Sequence, residues 1–176
     1  FLEIQKLVPF LLDNKRQQDE IVILYDQKNG NPEVLSYLLK FNKLPNVQTW
    51  RGFDFKGHFA DWKNKLTEYC SGDYIFQIDA DEIPNESLLN NLPLILEANL
   101  DNEVYLVPRV NTVVGLTQNH INKWGWKVNE KGWVNWPDYQ WRIWKNKPEI
   151  KWKNKVHEVL EGFKTYAPLP SIEGAA

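Results

Sequence analysis

Methionine is absent from all 176 residues, and cysteine occurs once, at Cys70. A single cysteine excludes an internal disulfide framework and fits a reducing compartment. Without a start residue, the sequence is read as a fragment or a processed form. No apolar run approaches the roughly 20 residues of a membrane-spanning helix, and no signal-peptide pattern opens the chain. A basic excess is missing too: 21 Lys and Arg against 23 Asp and Glu leave a formal net charge of −2. Nucleic acid is therefore not an expected partner. No internal repeat or low-complexity segment occurs. Together these absences leave a soluble, cytoplasmic domain, and its length suits one domain with a sizeable core.

Tryptophan is what the chain has in excess. It carries nine, seven of them between Trp124 and Trp152, more aromatic surface than a core of this size ordinarily uses. Trp62, Trp141 and Trp152 read as core. Trp124, Trp126, Trp133 and Trp136 lie among Gly and Asn, where burial is hard to arrange. They are candidates for stacking on the flat apolar faces of sugars, an acceptor rim.

Helical spacing of Phe1, Ile4, Leu7, Val8, Leu11 and Leu12 predicts an amphipathic helix closed by Asp13 and Asn14. "EIVILYD" (20–26) is a buried strand of parallel type. Pro32 suits the first turn of the next helix. "NVQTW" (46–50) reads as a short strand. "HFADWKNKLTEYC" (58–70) reads as a helix with Phe59, Trp62 and Leu66 inward, stopped by Gly72. "YIFQI" (74–78) is a strand, and "NESLLNNLPLILEAN" (85–99) a helix broken near Pro93. "EVYLVPRVNTVVG" gives one or two strands, 118–136 has no clean period, and "YQWRIWK" (139–145) is a strand. Residues 1–165 form one domain, with a Pro-rich tail or linker at 166–176. Alternation of strands and helices predicts an α/β fold, a mixed but largely parallel sheet with helices on both faces.

Ligands of such sheets bind beyond the carboxyl ends of strands, where Asp26 and Asp79 both fall. After "YIFQI" come Asp79, Ala80, Asp81 and Glu82. Like charges so close to a core need something positive between them. Carboxylates at i and i+2 of an extended segment face one way, so both can reach one magnesium or manganese ion, whose other ligands are water and substrate phosphates. A solvated acidic turn opening a helix is the plainer alternative. Arg142 can offer a fork to phosphate, or pair with an acid.

The segment "SGDYIFQIDADEIP", preceded by a helix containing "FADWKNK", resembles the nucleotide-sugar site of glycosyltransferase family 2, inverting enzymes of the GT-A fold. "WPDYQWRIWKNKPEIKWKNKVHEVLEG" is similar to the end of that family's lipopolysaccharide-core-glucosyltransferase-like branch. The resemblance spans roughly residues 52–162. It implies transfer of a sugar, with inversion, from a nucleotide-diphosphate donor to a glycan or lipid-linked glycan, with Mn2+ or Mg2+ as cofactor and with peripheral membrane association as an option. Asp79 would meet the ribose or reach the metal through water, Asp81 would bind the metal, and His157 would complete its shell. Asp26 would bind the nucleotide base, and Lys63–Asn64 stands where the family has Arg–Asn. Asp138 is the implied catalytic base, with Glu158 as the alternative. The family's first strand, which precedes the first helix, is missing from this sequence, and "DQKNGNPE" departs from the usual Asp-x-x-Ser-x-Asp loop. Two other readings stand beside it: a glycan-binding module without turnover, and a two-metal phosphoryl-transfer enzyme.

Overall fold

The computed structural model describes residues 1–171. Helix α1 (Leu2–Asn14) continues through Pro9 and buries Leu7 and Val8. Strand β1 (Ile21–Asp26) pairs in parallel with β2 (Val47–Phe53), which outruns the strand expected at 46–50. Between them α2 (Pro32–Leu38) starts on its proline, where a missing N–H costs nothing, and the Asn31 side chain accepts the Glu33 N–H as cap. Val8, Tyr25 and Leu38 join α1, β1 and α2 in one core.

Helix α3 (Phe59–Thr67) leads to β3 (Tyr74–Phe76). Its inward face is not the one expected: Phe59 is exposed, Trp62 is half-buried and Ala60 is buried. Then follow α4 (Glu86–Ala98), β4 (Val104–Arg109), α5 (Gln118–Trp124) and β5 (Asp138–Lys145). A hairpin of β6 (Lys151–Lys153) and β7 (Val159–Glu161) comes next, and β8 (Tyr166–Pro168) ends the described strands.

The larger sheet runs β3-β5-β4-β8. Strand alternation gives it two cores. Ile75, Val104 and Trp144 face α3 and the β6–β7 hairpin, while Phe76, Tyr105 and Ile143 face α4. Helices thus cover both faces of a mixed sheet, as expected. The parallel share is smaller than the alternation suggested, because β5 pairs antiparallel with both β3 and β4. The remaining pairing, β4 with β8, is parallel.

Three local expectations change. Strand β8 belongs to the sheet, with Leu169 buried beside it, so the chain does not leave the domain at 166. Pro168 is tolerated because β8 is an edge strand; residues 172–176 of the expected tail lie outside the described residues. Helix α4 is not broken at Pro93, since its apolar face keeps contact with the sheet on both sides of it. Part of 118–136 is helical, because Thr117 and His120 form a reciprocal capping box and Gly125 supplies the left-handed stop (φ +64°).

β1–β2 and the larger sheet are not hydrogen-bonded to each other. A gap therefore separates the two sheets. A side chain spans it: Glu20 Oε1 accepts the N–H groups of Ser71 (2.5 Å) and Gly72 (3.0 Å), just before β3.

Candidate active site

Beyond β3 the chain stays attached to β5, with the Gln77 N–H donating to the Arg142 carbonyl oxygen at 2.9 Å. The Glu82 N–H then donates to the Asp79 carbonyl oxygen at 3.0 Å. Asp79, Asp81 and Glu82 therefore leave one tight turn, and arginine is the positive charge between them. Arg142, its side chain 7% exposed, donates through Nη2 to Asp79 Oδ2 (2.9 Å) and Glu82 Oε1 (2.5 Å). Glu82 Oε1 also accepts from Arg109 Nη1 at 3.2 Å. Arg109 in turn grips Asp138, with Nε and Nη2 on Oδ2 at 3.0 and 2.7 Å.

Register places that last pair. Arg109 ends β4, Asp138 begins β5, and the two stand opposite each other in the antiparallel ladder. Asn111 Nδ2 adds a third bond to Oδ2 (2.9 Å), and Gln140 Nε2 reaches Oδ1 (2.8 Å). Burial acts upward on the Asp138 carboxyl, but its donors, Asn111 and Arg109 first and Gln140 after them, hold it below the usual value.

All of these groups except Gln77 and Gln140 line a cleft of about 990 Å³, near the upper end for small-molecule sites. Asp79, Asp81, Asp138, Arg142, Trp126 and Trp136 all line it. Trp124 and Trp133 do not, but each touches a tryptophan that does: Trp124 lies 4.7 Å from Trp126, and Trp133 lies 4.9 Å from Trp136. Trp124 is half exposed and also stacks on His120. Trp152, by contrast, is buried, and Trp141 packs partly buried against Phe163 and Tyr166. The core reading of Trp62 is corrected, because it leans on Phe53 and Phe55 beside a small cavity of about 40 Å³.

The other expected site residues stand apart from the cleft. Asp26 closes its own turn, accepting the N–H groups of Lys28 and Asn29, the Asn29 side chain and, at 3.4 Å, the Phe55 N–H. Burial acts upward on it, and those hydrogen bonds, led by Asn29, hold its carboxyl low. The Asn64 amide is fully engaged with the main chain of Trp152, accepting at 2.8 Å and donating at 2.9 Å, so it joins α3 to β6. Glu158 pairs with Lys63 at 3.5 Å, both side chains largely covered. His157 sits exposed in the β6–β7 turn with φ +56°. None of these four lines the cleft.

Among the described residues, no three His, Cys, Asp or Glu side chains are grouped as a metal-holding cluster. The residues that fit a hard cation are fewer. Asp81 is exposed on the cleft, and its carboxylate makes no hydrogen bond or ion pair to any described residue. One or two such carboxylates suffice where water and phosphate supply the other ligands. Among the described residues, Asp79 Oδ1 meets only Gln77 Nε2, at 3.5 Å.

Arg109 and Asn111 are the contributors that sequence reasoning passed over, and Glu82, counted there among the clustered acids, was given no role of its own. A basic residue closing the apolar run "VYLVPR" was the available signal, but only the β4–β5 register pairs it with Asp138.

No protein-family profile matches the chain. Its fold resembles that of TarS from S. aureus, a glycosyltransferase, in the crystal structure of residues 1–349. The TM-score is 0.64, with 14% sequence identity over 95% of this chain and 54% of that one. The described fold is thus GT-A-like, and the chain spans about half the length of that relative. No helix among the described residues is long and apolar enough to cross a membrane.

Proposed function

We propose that the cleft transfers a sugar, with inversion, from a nucleotide-diphosphate donor to a hydroxyl acceptor, as family 2 glycosyltransferases do. The observation that carries this reading is the meeting of Asp138 with Asp79 and Asp81 in one cleft, although 57 residues separate Asp81 from Asp138 in sequence. Asp81, with Asp79, would hold Mg2+ or Mn2+, which when bound offsets charge on the donor diphosphate. Arg142 holds Asp79 in place rather than binding phosphate itself. The acceptor hydroxyl lies against Asp138, whose Oδ2 is filled by Arg109 and Asn111, so Oδ1 takes the proton. The acceptor oxygen bonds to the anomeric carbon from the face opposite the diphosphate. That carbon's bond to the diphosphate oxygen breaks, and its electron pair leaves with the nucleoside diphosphate. Trp126 and Trp136 offer the acceptor sugar its stacking surface, backed by Trp124 and Trp133.

The test is turnover of a panel of nucleotide sugars by wild type and by Asp138→Asn. Release of nucleoside diphosphate that needs a divalent cation and is lost in Asp138→Asn is the expected result. One observation favours a second reading, a glycan-binding module: the donors that lower the Asp138 carboxyl also weaken it as a base. No turnover of any donor, together with retained glycan binding, would select it.

A further inference from the structure

Among the described residues, six charged side chains line the cleft: Asp79, Asp81, Glu82, Arg109, Asp138 and Arg142. Five of them form a chain of alternating sign, Asp79–Arg142–Glu82–Arg109–Asp138, whose successive ion pairs measure 2.9, 2.5, 3.2 and 2.7 Å. Glu82 stands at its centre. Both arginines meet the same oxygen, Oε1, while Oε2 accepts the Asp79 N–H at 3.3 Å. The Glu82 side chain is 19% exposed, against 27% for Asp138 and 38% for Asp79. It is therefore the most enclosed acid of that chain and the least open to a ligand. Neither the metal nor the acceptor hydroxyl requires it. An acid that shares an arginine with the base has another use.

We infer that Glu82 is a positioning residue that acts on Asp138 through Arg109, holding one edge of the guanidinium so that its charge is divided between the two acids. The inference rests on reading Asp138 as the base of this cleft. Arginine presents its N–H groups in a rigid planar fork, so Nη1 on Glu82 sets the angle at which Nε and Nη2 meet Asp138 Oδ2. Charge follows the same geometry. A cation that serves one acid draws its carboxyl down further than a cation shared by two. Among charged side chains, Arg109 faces Asp138 from β4, the turn after β3 brings Asp79, Asp81 and Glu82, and β5 brings Arg142. The parts of α4 and of 126–136 that line the cleft carry no charge. Without Glu82 the surroundings of Asp138 would be more positive, and its carboxylate a weaker proton acceptor. Glu82 thus offsets part of what the donors that fix the base take from its basicity.

Carbon-13 NMR titration of the Asp138 carboxyl, its signal assigned by its loss in Asp138→Asn, tests this on the whole chain without metal, donor or acceptor. Every sample carries Asn111→Ala, because removing that donor from Oδ2 raises the midpoint away from the pH of acid unfolding. In this background Glu82→Gln should lower the midpoint by about one pH unit, and Arg109→Met should raise it by about as much. With Arg109→Met already present, Glu82→Gln should move the midpoint by less than half as far. A midpoint that Glu82→Gln leaves unchanged or raises, or lowers as much without Arg109 as with it, overturns the proposal. The thermal unfolding midpoint checks the fold of each variant. If the glutamine variant does not fold, Glu82→Met, similar in length and uncharged, repeats the comparison. No sugar donor enters the titration, so an absence of turnover leaves this result standing, and a failure here leaves nucleotide-sugar turnover standing.

Discussion

Two strands in this molecule lead into aspartates, β1 ending on Asp26 and β3 running on to the turn of Asp79, and the chain accommodates them in opposite ways. At the end of β1, Asp26 is held by N–H groups of its own turn and of Phe55, all neutral donors near the surface. Beyond β3, Asp79 and its two acidic neighbours meet arginines that arrive from other strands, Arg142 from β5 and Arg109 from β4. Removing a local turn contact perturbs a turn. Removing an arginine from the second arrangement leaves clustered, half-covered carboxylates facing one another. The contrast shows why one acid-bearing end is built into a cleft and the other reads as a strand-closing turn.

The largest effect is expected at Arg142. Arg142→Leu removes the arginine from Asp79, which is 38% exposed, and one of two arginines from Glu82, so the loss is expected at about 2–3 kcal/mol, short of the cost of breaking a fully buried pair. Urea unfolding should show it, whereas a loss under 1 kcal/mol would mean that Asp79 and Glu82 relax into solvent and that the network is weaker than its geometry. Next comes Asp138→Asn. With the carboxylate gone but the shape kept, turnover should fall by about 10²–10⁴, while nucleoside diphosphate and metal still raise the unfolding midpoint. Normal turnover in this variant, with Glu158→Gln inactive, would move the base to Glu158.

A third comparison separates Asp81 from His157. Asp81→Asn should abolish the metal-dependent part of the thermal shift produced by a nucleoside diphosphate, and His157→Ala should leave it unchanged because His157 lies off the cleft. The reverse result would restore His157 to the metal shell. Acid titration gives a smaller signal. The Asp138 carboxyl in the folded chain lies below its ordinary value of 3.8, so its contribution is complete above that value and is lost as pH falls through the folded value. Wild-type stability should therefore drop more steeply than that of Asp138→Asn below about pH 4. Smallest of all, Asp26→Ala should cost on the order of 1 kcal/mol, the size of a few exposed turn hydrogen bonds. If it instead removes nucleoside diphosphate binding, Asp26 is a base-recognition residue after all.

Periodicity made much of the fold legible. The buried run of β1, the alternation in β5 and the proline at the start of α2 each report on their own few residues, and the structure agrees with them. Where the reading missed, the deciding contact was distant. Helix α4 continues through Pro93 because its apolar face meets Tyr105 and Ile143. Asn64 looked like a donor contact until β6, 88 residues away, took both ends of its amide. Short α5 carries too few apolar residues to show a period, and only its caps betray it.

By its order of residues alone this chain determined where the acids stand: at strand ends, spaced so that Asp79 and Asp81 leave one turn. Local pattern can do this because a strand and the tight turn that follows it are set by neighbouring residues, although that turn replaces the extended segment in which Asp79 and Asp81 were expected to face one way. The partners of those acids were decided by tertiary structure. Arg109 meets Asp138 across 29 residues and Arg142 meets Asp79 across 63, and both meetings depend on which strands adjoin β5 and in what register. Shifting that register by a single residue would turn these side chains to the opposite face, keeping every charge in the sequence and dissolving the site.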